Sequence, residues 1–584
     1  MIYEKYIRVL YIDLNSRKIR IENREDLHQY LGGVGVASKL LEENIKPGKS
    51  PFDPEQPVIF SIGAATSIYP VVTKTVAMFY SPLTGELGES YARGRLALTM
   101  LLAGYDAIVI QGKAEKPTYI TLNSSNIEFK DARALWGMSS DEAGRVIRER
   151  EPGGGKRSIL RIGPAGENLV SFASVCVDTY RHFGRLGLGA VLGSKNLKAV
   201  TVIGDRSIPV RNFKEYFKVY QEIYNKVTDT EIMSKYHDAG TPVNVEPLNE
   251  MNALPTRNLT QSSFENVEAI SGDAFVKNNL VRKMACTGCP VGCIHIGQFR
   301  REFDKGHDYE SVSVGYDYEL IFALGSFLGI SSTDEILQLI EVVEQLGLDA
   351  MSSGVVLGWA TEAYRKKLID EKDTLVPLEF GNAGNYIKAL GHLANKENSF
   401  YEVLALGSHE AAARYGGQDF AMTFAKNEMP GYHTGYGALV GAVVGARHSH
   451  LCNAGYSIDQ SMKELDKAAI VDGLFTEEKE RCMLNSLTIC LFARKVYDRK
   501  TILAALNAIG YRLTDEDLTA IADRIYATKL RVKKMLGFEL KNVKLPKRFF
   551  ETPGLWGKLE EAVAYELIAM YYKRLEEFMS SKEE

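Results

Sequence analysis

The sequence predicts an α+β chain, with a β-sheet-rich N-terminal domain followed by two mainly α-helical domains. Short apolar or alternating runs that end in Gly, Asn or Asp fill residues 1–208 and read as strands. After a linker-like stretch at 205–210, the apolar spacing changes to the helical period and keeps it to the C-terminus. A second break falls at Tyr415-Gly-Gly-Gln-Asp419. The expected domains are therefore 1–208, 209–418 and 419–584.

The expected strands are 7–13, 18–22, 58–62, 76–80, 107–111, 119–122, 158–162 and 198–203, with helices at 36–43, 95–102 and 140–150. In the helical part, Ser332-x-x-Glu335 forms a capping box that opens a helix over 335–346. The apolar residues of that helix, Ile336, Leu337, Ile340, Val343 and Leu346, share one face. The tail 555–582 reads as an amphipathic helix. No internal repeat and no low-complexity segment stands out.

The 584 residues are 45% hydrophobic with a net charge of −4, which excludes a basic nucleic-acid or membrane-surface protein. No apolar run reaches the roughly 18 residues of a membrane span, and the first residues lack a signal-peptide core. Seven cysteines, three of them clustered, do not resemble a disulfide framework, so a reducing, cytoplasmic setting is expected.

The clustered cysteines are Cys286, Cys289 and Cys293, a C-x2-C-x3-C run interleaved with Gly288, Pro290 and Gly292. Three soft thiolates at this spacing suit one iron–sulfur cluster, whose fourth ligand must come from elsewhere. Structural zinc usually takes paired C-x2-C knuckles, and no second pair exists. Gly33-Val-Gly35 precedes a helix, yet no acidic residue follows it in a clean strand–helix–strand unit, so a dinucleotide site is rejected. Gly153-Gly-Gly-Lys156 reads as a hairpin tip. Gly184-Arg185-Leu186-Gly187-Leu188-Gly189 suits close backbone approach to a flat ligand, with arginine on a phosphate.

Seven segments in order resemble the tungsten-dependent aldehyde ferredoxin oxidoreductases. They are the glycine segment after Tyr30, Ser81-Pro-Leu-Thr-Gly85, the run from Gly184 to Ala199, the cysteine run, Tyr309-Glu310-Ser311, Leu346-Gly-Leu-Asp349 and the late Cys490. The resemblance covers nearly the whole chain. It implies a β base under two helical domains, with the cofactor at their junction: tungsten or molybdenum held by two molybdopterin-type pterins, magnesium bridging the pterin phosphates, and a [4Fe–4S] cluster alongside.

Site residues follow from the resemblance. Cys286, Cys289, Cys293 and Cys490 match the cluster ligands. Glu344, Leu348 and Asp349 match the first pterin motif, with glutamate in place of its leading aspartate. Asn485 opens the second motif, again in place of aspartate, and Leu491 follows it. Arg185, Leu186, Gly187 and Leu188 match pterin and phosphate contacts. Lys74 stands where the family usually has arginine, while Tyr91 and Arg93 stand where it often has asparagine and glycine. Glu310, in Tyr309-Glu-Ser, and His448 match the acid–base pair, and His450 and Cys452 lie close by in sequence.

The implied reaction is oxidation of an aldehyde to a carboxylic acid with water, electrons leaving through the cluster to ferredoxin. The run from Arg447 to Ser457 also resembles a branch that reduces benzoyl-coenzyme A, which is the alternative. A non-catalytic electron-transfer subunit is the third reading. The Glu-x-x-His bridge of some dimeric relatives is absent at His392 and His409. A small polyferredoxin-like iron–sulfur subunit is the expected partner, docked near 286–295.

Overall fold

The computed structural model describes residues 5–583, apart from 209, 211, 230, 305 and 307. Pro209 of the expected linker and the first four residues lie outside the described residues.

Two six-stranded sheets form the N-terminal part. The first comprises β1 (Ile7–Asp13), β2 (Ile19–Arg24), β3 (Val58–Ser61), β4 (Thr75–Tyr80), β5 (Leu87–Ala92) and β6 (Ala107–Gln111), in the order β2-β1-β6-β3-β4-β5. The second comprises β7 (Thr118–Leu122), β8 (Ile127–Asp131), β9 (Arg157–Arg161), β10 (Val175–Val177), β11 (Arg181–Phe183) and β12 (Leu197–Ile203), in the order β8-β7-β12-β9-β10-β11. The two orders are the same plan executed twice. In each sheet one pair is parallel, β1 with β6 and β7 with β12, and the remaining pairs are antiparallel. Helices recur at the same points: Gly33–Asn44 and Ser140–Arg150 after the second strand, Leu96–Ala103 and Leu188–Ser194 before the last.

This duplication corrects the expectation of no internal repeat. One trace of it survives in sequence, Gly94-Arg-Leu-Ala-Leu98 against Gly184-Arg-Leu-Gly-Leu188. Elsewhere only the burial pattern was kept, and many sequences satisfy one pattern.

The period of two fixes how the layers stack. Leu10 and Ile12 of β1 pack with Leu160 of β9 and Val200 of β12 in a core between the sheets. Their neighbours Val9 and Tyr11 point the other way, into the large core shared with the helices. The inner strands of the first sheet are therefore buried on both faces, which explains their unbroken apolar runs, while the edge strand β2 is exposed.

Beyond residue 208 the chain is not helical throughout. β13 (Leu280–Met284), β14 (Ile294–Asp304) and β15 (Asp308–Tyr316) form a separate antiparallel sheet, and the cysteine run is the connection between β13 and β14. The strand alternation there is interrupted by that glycine-rich loop, which hid it. Long helices make up most of the rest, among them Thr333–Leu346, Ala350–Arg365, Lys467–Ser486, Asp515–Met535 and Glu561–Glu583. Ser332 caps the first of these, accepting from Glu335 N–H. Among the described residues no single helix is long and apolar enough to cross a membrane.

Candidate active site

Two arms from the helical part dock onto the duplicated base in the same way. In the first arm, Leu348 bridges Ala173, Asp349 N–H donates to Phe172 O, and Ser174 N–H donates to Gly347 O. In the second, Ile489 bridges Val72, Cys490 N–H donates to Val71 O, and Lys74 N–H donates to Thr488 O. Gly347 (φ +74°) and Thr488 (φ +59°) make the same left-handed turn. A Cβ on Gly163 would lie 2.5 Å from Leu346 O, and one on Gly63 would lie 2.4 Å from the Leu487 carbonyl carbon. The two expected pterin motifs, opening at Glu344 and Asn485, are thus equivalent arms ending at Asp349 and Cys490.

A cavity of about 320 Å³ lies where the first arm meets the base. Arg93, Arg185, Glu344, Leu348, Asp349 and Leu491, all expected site residues, line it. A second cavity of about 200 Å³ shares Arg93, His182 and Glu344 with it and reaches Tyr91 and Cys293. Arg185 is anchored by Asp349 at 3.1 Å and by Glu428 O at 2.9 Å, while its Nη1 has no partner. Asp349 also caps Ala350–Arg365 through Met351 N–H. Leu186 and Leu188 are buried, and Leu186 O accepts from Ser81 Oγ. Gly187 (φ +86°) presses on Ser171 O, 2.1 Å from where a Cβ would be, so only glycine fits.

Lys74 lies beneath, buried against the Tyr91 ring, its Nζ 2.7 Å from Asn485 Oδ1. Tyr91 donates to Glu89 at 2.6 Å. Arg93 Nη1 lies 3.6 Å from Cys490 Sγ. Arg93 also sits in the field of Cys293 and Cys286, and Cys289 in that of the other three cysteines. The structure therefore gathers the four cysteines from distant parts of the chain. Burial pushes the Cys289 thiol up to about 12. Burial acts the same way on Cys490, but Arg93 and Lys74 outweigh it and hold that thiol below its ordinary value.

Among the described residues no three His, Cys, Asp or Glu side chains converge on a single metal ion. An all-thiol set spread more widely than one ion needs suits a four-iron cluster, whose bulk keeps its ligands apart. The cavity walls fit a polar ligand equally. Ser174 Oγ, His182 Nε2, Arg185 Nη1 and His450 Nδ1 are buried there without hydrogen-bond partners. A buried polar atom left unpaired costs roughly 1–3 kcal/mol, so this concentration marks a ligand's place.

The geometry sets the expected acid–base pair apart from the cavity. Glu310 lies on β15, a strand away from the cavity, side chain 42% exposed and paired with Arg301 at 2.5 Å. His448 is buried, but against Glu86 and Lys533, and its chain neighbour Arg447 joins a separate buried group with Glu89 and Lys529. The residues of these types that do line the cavity are Glu319 and His450, with Oε1 and Nε2 3.0 Å apart. Burial pushes Glu319 up to about 8 and holds His450 well below its ordinary value. Burial likewise raises Glu344 to about 8. The missed signal was a second Tyr-Glu, Tyr318-Glu319, behind the helix-capping Asp317.

A duplicated base, two docking arms, four converging thiols and a polar-lined cavity define an oxidoreductase built around a metal cofactor. Residues 9–204 match the profile of the aldehyde ferredoxin oxidoreductase N-terminal domain, and residues 218–576 match that of its domains 2 and 3. The tungsten-containing aldehyde ferredoxin oxidoreductase of Pyrococcus furiosus is 32% identical over 98% of this chain and 96% of its own. That of Thermococcus kodakarensis is 31% identical over the same shares. An aliphatic sulfonate oxidoreductase WOR-like subunit of Pyrococcus furiosus is 29% identical over 91% of this chain and 86% of its own. Among solved structures, the active site complex BamBC of benzoyl coenzyme A reductase with 1,5-dienoyl-CoA superposes with a TM-score of 0.80 at 21% identity, covering 97% and 93% of the two chains. The chain belongs to the aldehyde ferredoxin oxidoreductase family.

Proposed function

We propose that the protein oxidises an aldehyde to a carboxylic acid, with water as the oxygen source, and hands the electrons to ferredoxin. The contact of Glu319 with His450 in the cavity wall carries this reading. When bound, the tungsten–pterin group supplies a two-electron acceptor. Arg185, Asp349, Leu348 and Glu344 would hold one pterin; Lys74, Arg93, Asn485 and Leu491 the other, with magnesium between their phosphates. Cys286, Cys289, Cys293 and Cys490 would hold the [4Fe–4S] cluster. The domains of this reading are 1–208, 209–418 and 419–584.

The chain's own part is proton control. At neutral pH burial keeps Glu319 protonated and His450 uncharged, so the pair carries one proton. Once ionised, Glu319 is the base that takes a proton from water adding to the carbonyl. The His450 imidazole, its Nδ1 unpartnered, donates toward the oxyanion that develops. Leu320, Ile340 and Leu348 in the wall exclude bulk water and strengthen both effects.

A second reading, reduction of an aryl acyl-coenzyme A, is favoured by one observation: Tyr432, Tyr456 and Phe492 present aromatic rings to the same cavity. A small polyferredoxin-like subunit would serve either reaction. Elemental analysis of anaerobically purified protein, followed by kinetics with aldehydes against aryl thioesters, tests these readings. Tungsten or molybdenum with aldehyde turnover supports the first, and thioester turnover alone overturns it. Iron without either metal would make the chain an electron-transfer subunit.

A further inference from the structure

We propose that an arginine-lined cavity behind the cysteine loop docks an electron-carrier protein with a carboxylate-rich face. This rests on the reading that the four cysteines hold a cluster, and it adds where the electrons leave.

The cavity has a volume of about 280 Å³ and is walled by Arg95, Arg148, Arg157, Arg161 and Arg181. A single carboxylate, Asp178, faces them, already accepting from Ser158 Oγ and Ile159 N–H. Arg157 donates to the carbonyls of Pro152 and Arg148, and Arg161 to those of Ser140 and Asp178. Carbonyls satisfy donors without cancelling charge. Among the described residues none of the five arginines is paired with a carboxylate side chain, and Arg181 Nε is buried without any partner. Such a surplus of half-buried cations calls for an anion.

Position selects the anion's bearer. Arg181 Nη2 lies 3.8 Å from Cys286 Sγ, and Thr287, one residue further on, forms part of the rim. Arg282 and Lys283 extend the positive surface outward on β13, both exposed. Three of the five guanidiniums, those of Arg95, Arg157 and Arg161, spend donors on backbone, so the cavity offers a broad field more than a fork shaped for one phosphate. A broad field beside a redox centre suits steering of an acidic protein face. Each docking passes one electron from the cluster to the carrier's own centre, which is reduced by one as the cluster is oxidised by one; no bond or proton moves.

Arg148→Glu tests this in the cluster-loaded holoenzyme, because that side chain carries no hydrogen bond here while its backbone carbonyl does. The probe is a low-potential ferredoxin of net negative charge, titrated calorimetrically at low and moderate salt. The expected result is about tenfold or greater weakening with a flattened salt dependence, an intermediate loss for Arg148→Gln, and unchanged turnover with benzyl viologen. Unaltered affinity and salt dependence, or no ferredoxin binding by the unmodified protein, would overturn it. So would a variant that loses binding of coenzyme A or pyrophosphate while ferredoxin binding stays intact. The calorimetry needs no aldehyde turnover, so failure of the aldehyde reading leaves this result to stand alone.

Discussion

Lys74 Nζ donates to Asn485 Oδ1 at 2.7 Å, joining β4's approach to the last turn of Lys467–Ser486. Burial brings Lys74 down to about 7. The resemblance puts arginine and aspartate at these places, where this chain joins a lysine to a neutral acceptor. Asn485→Ala should cost about 1.5–3 kcal/mol, the range for a hydrogen bond to a charged group, read by denaturant unfolding.

Glu319→Gln should keep the bound metal and lower kcat by about 10² or more, the scale of a lost general base. Glu310→Gln should leave kcat within about twofold, because an exposed pair such as Glu310–Arg301 contributes little. Steady-state kinetics on both variants decides the assignment; the opposite pattern would restore Glu310.

The rate should also carry Glu319's ionisation. Burial raises it to about 8, so the base form is scarce at neutral pH and grows through that value. Aldehyde oxidation should therefore rise with pH up to and just beyond 8, then level off. Glu319→Gln should abolish that limb. A profile flat from pH 6 to 9 in the parent enzyme would contradict the role.

Cys490→Ala should lose cluster absorbance and acid-labile sulfide, since Cys490 shares Arg93 with Cys286 and Cys293 of the β13–β14 loop. An intact cluster signal would move the fourth ligand to Cys482 or Cys452.

Gly347→Ala should destabilise by roughly 2–4 kcal/mol, the scale of a strained backbone combined with a core clash. Its φ is +74°, and the new Cβ would lie 2.7 Å from Gly163 N. Thermal unfolding of the variant measures the loss.

Much of this was legible in the sequence because local chemistry was strong. The cysteine spacing, the capping box at Ser332 and the glycines around Arg185 each impose a geometry on few residues. The helix expected at 140–150 is found at Ser140–Arg150, and that at 335–346 at Thr333–Leu346. What stayed hidden depended on long-range packing. Tyr309-Glu310 and Tyr318-Glu319 look alike as dipeptides, yet one lies on a hairpin edge and the other opens a buried helix. His448 and His450 differ by two residues in a tight turn, enough to send one ring into an ion network and the other into the cavity. β5, β8, β10 and β11 were missed because they are short or half polar, and the repeat went with them.

The equivalence of Asp349 and Cys490 has a directional meaning. Two copies of one plan would give a molecule indifferent to which arm its charge travelled along. Here one arm terminates in a carboxylate that clasps Arg185 and Ser352 and caps a helix, while its twin terminates in sulfur beside three further thiols. With the cluster that we propose on Cys490, one arm would insulate and the other conduct, so a base built from two equals would give charge one way out.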